Sequence, residues 1–224
     1  GGKTAGLIAW LSMGDSDLAE DDPARISFLN DPTYRAVIFR QQYQAMSSLI
    51  EEMAEFFRPF GGKPKGEPVV FEFKSRAMIY CRHLNDKDAY NQIRGWNVTR
   101  IAIEEGTQIP DKQSYIKLFG SLRSKTRMIG GKQFPKLRTQ LMMSANPDGP
   151  GADWVCRRFV DVPILGDKKM AEWNVPMIDP VTNLSRIFIP MGLKDNKYYR
   201  DDKQYIGMFM SQSEVVRKQW MEVD

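Results

Sequence analysis

Histidine and cysteine are scarce in this sequence. Among its 224 residues there is one histidine, His83, and there are two cysteines, Cys81 and Cys156. A single histidine excludes a metal site built from several imidazoles, and we expect His83 to have a structural role. The cysteines lack the C-x-x-C spacing of a zinc or redox motif, so we expect two reduced, buried thiols in strand-like surroundings.

Long apolar runs are also missing. No stretch approaches the roughly 18–20 apolar residues that a membrane-spanning helix requires. The first apolar segment ends at residues 14–17 (GDSD) without a cleavage-type site, which argues against a signal peptide. The formal net charge is only +4, which is compatible with a polyanionic partner but does not require one. The length suits one α/β domain, with or without a small appendage.

The predicted elements alternate as in a parallel α/β sheet. Apolar periodicity predicts helices over residues 3–13, 41–57, 86–93, 112–122 and 201–223. Compact apolar runs predict strands over 35–40, 98–104 and 141–143, an edge hairpin of 69–74 with 78–82, and extended segments over 154–162 and 185–190. Residues 14–34 form an acidic loop and residues 123–138 a basic one.

The first four residues match the closing half of a phosphate-binding loop, G-x-x-x-x-G-K-[ST]. In Gly1-Gly2-Lys3-Thr4, the glycines would let backbone N–H groups point at one phosphate. The lysine would bind the β- and γ-phosphates, and the threonine hydroxyl would ligate Mg²⁺. A helix that begins here would add its positive dipole end to the anion site. The alternative is a glycine cap before an ordinary helix.

Two acidic residues follow the most strand-like run in the chain. Glu104 and Glu105 come directly after Ile103, where a parallel strand would present its carboxyl end to a ligand. In an ATPase the first carboxylate holds Mg²⁺ and its waters, and the second orients and deprotonates the attacking water. The alternative is an exposed acid pair that follows a core strand.

A third strand end is small and polar. Ser144-Ala145-Asn146 follows the strand predicted over 141–143, and its Ser and Asn side chains are suited to sense the γ-phosphate or the attacking water. The alternative is a simple turn formed by Asn146-Pro147-Asp148-Gly149.

The order and spacing of these motifs resemble the ATPase domain of a phage terminase large subunit, the motor that packages DNA into a procapsid. The resemblance spans essentially the whole chain, through GGKT, RAVIFRQQY, IRGWNVTRIAIEEGTQI, LMMSANPDGPGADWVCRRFV, RIFIPMGLKDNKYY and a closing helix that contains RKQW. The turn A-N-P-x-G-P-G followed by W-x-x-x-R-F, and the later P-x-x-L-x-D-N, are more specific than the phosphate-loop and acid-pair motifs.

The resemblance implies an α/β P-loop NTPase fold of the ASCE, RecA-like type. Its mostly parallel sheet would be flanked by helices and joined by a small lid-like subdomain. We expect the ATPase core in residues 1–165 and the lid-like remainder in 166–224. The first strand and the start of the phosphate loop would precede Gly1. The family's nuclease domain would be absent, so we expect no nuclease activity.

The resemblance also implies roles for individual residues. The nucleotide site would contain Gly1, Gly2, Lys3 and Thr4 of the phosphate loop, Glu104 on the metal side and Glu105 as catalytic base of the Walker B pair, and Ser144, Ala145 and Asn146 of the coupling motif. Arg94 matches a basic position of the family and is expected to act as an arginine finger on a neighbouring subunit. Arg123 and Arg127 are the runners-up.

The implied function is ATP hydrolysis that drives translocation of double-stranded viral DNA into a procapsid, with ATP and Mg²⁺ as cofactors. The implied partners are double-stranded DNA, a homo-oligomeric ring on a portal protein, and the small terminase subunit, with no membrane. The implied location is the host cytoplasm and, transiently, the procapsid. Two alternatives stay open: a helicase-like nucleic-acid-dependent ATPase, and a non-catalytic structural module with a relic nucleotide site.

The basic loop is the candidate DNA surface. It contains six cations and no acid, and a motor that moves any sequence needs phosphate contacts rather than base readout. We expect Lys125, Arg127 and Lys132 to bind DNA; the alternative is a flexible solvated loop. Gly130-Gly131-Lys132 resembles a second phosphate loop, but Gln133 replaces the required Ser or Thr.

Overall fold

Two compact units make up the chain, Gly1–Ala145 and Asn146–Asp224. The computed structural model describes residues 2–42, 44–84, 89–164, 167–170, 174–179 and 183–211. The predicted boundary near residue 165, and the lid-like role of residues 166–224, stay predictions. Within the described ranges, no helix combines the length and the apolar character that a membrane crossing needs.

The helices and strands are each numbered in chain order. The helices are α1 (Gly2–Ser12), α2 (Met46–Phe57), α3 (Lys112–Leu118), α4 (Ala152–Phe159) and α5 (Lys203–Met210). The strands are β1 (Arg35–Arg40), β2 (Lys63–Lys65), β3 (Val70–Glu72), β4 (Met78–His83), β5 (Arg100–Ile103), β6 (Arg127–Ile129), β7 (Lys132–Phe134), β8 (Gln140–Met143), β9 (Asp161–Ile164), β10 (Asp167–Met170), β11 (Met177–Ile178) and β12 (Ser185–Arg186).

A six-stranded sheet in the order β2-β3-β4-β1-β5-β8 forms the centre of the first unit. Strands β4, β1, β5 and β8 are parallel, whereas β2 and β3 pair antiparallel at one edge. The predicted fold class, a mostly parallel α/β sheet flanked by helices, is therefore confirmed. The predicted hairpin of β3 with β4 also forms, but the sheet edge is β2, and β4 lies inside the sheet beside β1.

The central strand β1 is covered on both faces, as parallel strands in α/β proteins are. Its four inner residues, from Ala36 to Phe39, are fully buried. Helices α1 and α2 pack on one face of the sheet through side chains at helical spacing, namely Leu7, Ile8 and Leu11 of α1 and Met46, Leu49, Met53 and Phe57 of α2. This packing fixes α1 against the sheet and so positions its first turn.

Several predicted elements differ from the structure. Helix α2 begins at Met46 rather than at residue 41, and residues 154–159 of the segment predicted as extended belong to helix α4. A short apolar run does not distinguish a strand from a helix by periodicity alone, which explains the second error. Residues 86–88 of the predicted helix 86–93, and residues 212–223 of the predicted last helix, lie outside the described residues.

The two cysteines have different surroundings. Cys81 is buried in β4 as expected, and burial raises the pKa of its thiol to about 12, which keeps it protonated. Cys156 lies on helix α4 and is only partly buried, so its predicted strand-like surroundings are wrong.

The basic loop contains a hairpin, β6 with β7. Gly130 and Gly131 form its two-residue turn with positive φ angles of 58° and 82°, a conformation for which glycine is suited. Gly130-Gly131-Lys132 is therefore a turn and not a second phosphate loop.

Arg127, at the start of β6, is fully buried. Its guanidinium donates to both carboxylate oxygens of Asp22, at 2.6 and 2.8 Å, and to Asp31 Oδ2 at 2.6 Å. It also donates to the Pro135 carbonyl oxygen at 2.8 Å. The expectation that Arg127 binds DNA is therefore wrong, and so is its candidacy as an arginine finger, because its charge is neutralised inside the fold.

Asp22 is held in its charged form by these contacts. Burial raises the pKa of the Asp22 carboxyl, but hydrogen bonds from Arg127 and the Ala24 amide, with the charge of Arg127, outweigh that effect. The net result is a pKa below the ordinary aspartate value. The ion pair thus connects the acidic loop to the β6–β7 hairpin.

We expect the substitution Arg127→Met to lower the free energy of unfolding by about 3–5 kcal/mol, because it leaves two carboxylates buried without a counter-charge. Chemical denaturation at neutral pH measures this loss. Lys125→Met is the matched control, since Lys125 is exposed in the same segment. Equal denaturation midpoints for the two variants would contradict the structural role of Arg127.

The same pair makes a pH dependence testable in the wild type. Because the folded-state pKa of Asp22 is lowered, its stabilising contribution is complete above the ordinary aspartate pKa of about 3.9. That contribution is lost as the pH falls through the folded-state pKa. The acid-side loss of stability should be smaller in Arg127→Met than in the wild type.

Candidate nucleotide site

The strand register brings three segments together at the carboxyl edge of the sheet. Phe39 of β1 is opposite Ile103 of β5, which in turn is opposite Met143 of β8. The residues that come directly after these positions, Arg40, Glu104 and Ser144, therefore lie in a row at one edge. Ligands of parallel α/β sheets bind at this kind of edge.

Thr4 connects the first turn of α1 to that edge. Its Oγ1 donates a hydrogen bond of 2.5 Å to Glu104 Oε1, across 100 residues of sequence. The helix N-terminus carries the positive end of the helix dipole, which favours an anion beside it. A Cβ atom added to Gly2 would meet no atom within 4 Å, so protein packing does not demand glycine there.

Lys3 and the end of β8 are also connected. Lys3 Nζ donates to the Ala145 carbonyl oxygen at 3.0 Å. The preceding carbonyl, that of Ser144, accepts the Gly106 amide at 2.7 Å. A Cβ on Gly106 would lie 2.1 Å from Met143 Sδ, so a larger residue there would displace the Met143 side chain. Thr4 contacts Glu104, Lys3 contacts Ala145, and Ser144 contacts Gly106, so these residues form one connected group.

Arg40, to which the sequence assigned no role, lies between the two glutamates. Its Nε is 3.3 Å from Glu104 Oε2, and its Nη2 is 3.5 Å from Glu105 Oε1. Its Nη1 donates to the Ala45 carbonyl oxygen at 2.5 Å and to Ser48 Oγ at 3.2 Å. Arginine stays charged at any physiological pH, so Arg40 offsets the repulsion between two adjacent carboxylates.

The two glutamates differ in exposure and in backbone conformation. The Glu104 side chain is 5% exposed, whereas that of Glu105 is 41% exposed. Glu105 adopts the left-handed conformation, with φ 53° and ψ 50°. A non-glycine residue in this conformation costs on the order of 1–3 kcal/mol, and such strain is found preferentially at functional sites. The Glu104 carboxylate is therefore enclosed, whereas the Glu105 carboxylate is accessible from solvent.

The oxygen atoms at this edge suit Mg²⁺. Glu104 Oε2 is buried and makes no hydrogen bond, although Arg40 lies beside it. Together with Thr4 Oγ1 it supplies hard oxygen ligands, which Mg²⁺ prefers along with water and substrate phosphates. In the described part of the chain, no group of three or more His, Cys, Asp and Glu side chains forms a closed metal site. The residues thus fit an ion that also binds a phosphate.

Three further predicted site residues are exposed: Arg94, Lys125 and Lys132. Arg94 is exposed and does not contact Lys3, Thr4 or the glutamates. Lys125 and Lys132 are exposed on the basic hairpin segment. Gly1 lies outside the described residues, and Asn146 belongs to the second unit. Their predicted roles stay predictions.

Comparison with known proteins supports the fold. No protein-family model matches the sequence, and no curated protein matches it. Among solved structures, the large terminase from a thermophilic bacteriophage is similar, with a TM-score of 0.52 over 84% of this chain and 12% sequence identity. The match covers 40% of that terminase, so the chain spans about two fifths of its length. The expected resemblance is confirmed at the level of fold: this chain has a mixed α/β fold similar to that of a bacteriophage large terminase.

Proposed function

We propose that this chain binds ATP with Mg²⁺ and hydrolyses the nucleotide to move double-stranded DNA, as the ATPase part of a terminase-like packaging motor. The observation that carries the proposal is the hydrogen bond from Thr4 to Glu104, which joins the start of α1 to the carboxyl end of β5. A phosphate-loop hydroxyl beside a strand-end carboxylate is the arrangement that NTP hydrolysis uses. The fold similarity to a large terminase supports the same conclusion.

Nucleotide binding would use the first turn of α1. The Lys3 ammonium would exchange the Ala145 carbonyl for the β- and γ-phosphates, and the helix N-terminus would add its dipole. Gly1 and Gly2 would let the backbone approach the phosphates closely. Thr4 and Glu104 would hold Mg²⁺, which supplies charge neutralisation across the β- and γ-phosphates when bound.

Hydrolysis would use Glu105. Its exposed carboxylate accepts a proton from the attacking water, while Glu104 stays on the metal side. Arg40 positions both carboxylates through its two ion pairs. Ser144, Ala145 and Asn146 would pass the change in phosphate contacts onward, because the Ala145 carbonyl is the group that Lys3 leaves.

The remaining proposals follow from the terminase-like fold. They are an arginine finger, Arg94, that acts on a neighbouring subunit of a ring, assembly on a portal protein with a small terminase subunit, and action in the host cytoplasm and on the procapsid. Exposure of Arg94 is compatible with a role in trans. Translocation on blunt duplex without unwinding would separate this motor from a helicase-like ATPase, and ATP titration with Mg²⁺ would separate it from a non-catalytic module.

Glu105→Gln should trap ATP, with hydrolysis reduced by roughly 10²–10⁴-fold, the contribution of a general base. The measurements are phosphate release and ATP affinity. Glu52→Gln on the exposed side of α2 removes the same charge away from the site and should retain wild-type turnover. Brisk hydrolysis by Glu105→Gln would place the base elsewhere.

Arg40→Ala should lower kcat by about 10²-fold, because small displacements of catalytic groups have effects of this size. The KM for ATP should change little, since Arg40 contacts the acid pair rather than the phosphate-loop residues. Arg40→Lys should recover part of kcat, and Arg58→Ala, at the exposed end of α2, is the control. An unchanged kcat in Arg40→Ala would remove Arg40 from the mechanism.

Neutralising Lys125 and Lys132 together, as Lys125→Gln with Lys132→Gln, should weaken DNA binding. It should also flatten the plot of log affinity against log salt by about 2, because each lost phosphate contact removes about 0.9 from the slope. The matched control is Lys112→Gln with Lys117→Gln on α3, where both lysines are also exposed. A salt slope equal to that of the wild type would refute a DNA-binding hairpin.

A further inference from the structure

The acidic loop and the basic hairpin segment face each other. We call residues 15–22 the acidic strap and residues 123–138 the basic segment. Beyond the buried pair of Asp22 with Arg127, Asp21 accepts a hydrogen bond from Lys132, and Asp17 Oδ2 lies 3.4 Å from Arg138 Nη2. Three cations of the basic segment are therefore matched by three aspartates of the strap.

These pairs differ in their surroundings. Arg127 and Asp22 are fully buried, so their ion pair anchors the strap to the fold. Lys132 and Asp21 are each 57% exposed, and Arg138 and Asp17 are 64% and 76% exposed. Exposed pairs contribute little net stability and are screened by salt. The strap thus stays attached while its two outer carboxylates can leave their partners one at a time.

Lys125 and Lys136 could contact a phosphate without first losing a carboxylate partner. Both are exposed, and within the described ranges no carboxylate pairs with either of them. Along the segment, Lys125 precedes Lys132, and Lys136 lies between Lys132 and Arg138. A row of phosphates would first meet these lysines and would then compete with the strap for Lys132 and Arg138.

We propose that Asp17 and Asp21 act as an internal substitute for the phosphates of a duplex, and that DNA binding to the basic segment requires their displacement. This inference rests on the proposed function, since it assumes that the basic segment binds DNA. The partner it implies is a double-stranded DNA backbone, which offers regularly spaced negative charge to Lys132 and Arg138. The strap would lower the affinity of the resting surface, most strongly at low salt, where its exposed ion pairs are least screened.

The first test compares two double variants of equal charge. Asp17→Asn with Asp21→Asn should bind a short blunt duplex roughly threefold to tenfold more tightly than the wild type at moderate salt. Glu51→Gln with Glu52→Gln, on the exposed side of α2, raises the net charge by the same amount and should change affinity much less. Both variants replace exposed side chains, and thermal unfolding checks that each is folded.

The second test is a double-mutant cycle. If Asp21 competes with DNA for Lys132, then Lys132→Gln should cost more affinity in the Asp21→Asn background than in the wild type. An equal loss of affinity from Lys132→Gln in both backgrounds would overturn the inference. So would strap and control variants that tighten DNA binding equally. If the wild type binds no duplex but the strap variant does, the inference is supported. If neither protein binds duplex, the inference is overturned.

The outcomes also separate the inference from the proposed function. If the Lys125 and Lys132 double variant weakens DNA binding while the strap variant behaves like its control, the basic segment binds DNA but the strap does not compete with it. If neutralising those lysines changes neither affinity nor salt slope, the basic segment is not a DNA surface and both proposals fail there. The ATPase proposal is measured independently through Glu105→Gln.

Discussion

The register of β1, β5 and β8 determines where Arg40, Glu104 and Ser144 lie at the edge of the sheet. Because side chains alternate between the two faces of a strand, a slip of one residue would turn Arg40 or Glu104 to the opposite face. The register is fixed by the apolar residues that precede these positions, which are buried on both faces of the sheet. The core therefore specifies the site: packing of Phe39 against neighbours in β5 decides that Arg40 meets the acid pair.

This dependence explains which parts of the site could be predicted from sequence. The strand over 35–40 and the acids after Ile103 are local patterns, and the structure has both where the sequence places them. The contact of Arg40 with Glu104 and Glu105 depends on which strands are neighbours, and no local pattern contains that information. One physical signal was available: two adjacent acids at a buried strand end need a counter-charge, and an arginine ended another strand.

For Arg127 the sequence predicted a surface role, whereas the structure buries the residue. Counting charges along residues 123–138 gives six cations and no acid, which favours a solvated polyanion surface. The acids that pair with it come from residues about one hundred positions earlier, so only the tertiary fold brings the charges together. The helix over Ala152–Phe159 was missed for a related reason, since a short run of apolar and charged residues fits either type of element.

Arg40 and Arg127 make similar contacts, yet they support different conclusions. Each arginine pairs with two carboxylates and offsets part of their negative charge. Arg127 and both of its partners are completely enclosed, so water and ligands have no access and the cluster can only stabilise the fold. At Arg40 one partner is enclosed while the other, Glu105, is 41% exposed on a strained backbone. The proposed roles require this difference, because a metal ligand can be enclosed whereas a general base must be accessible to water.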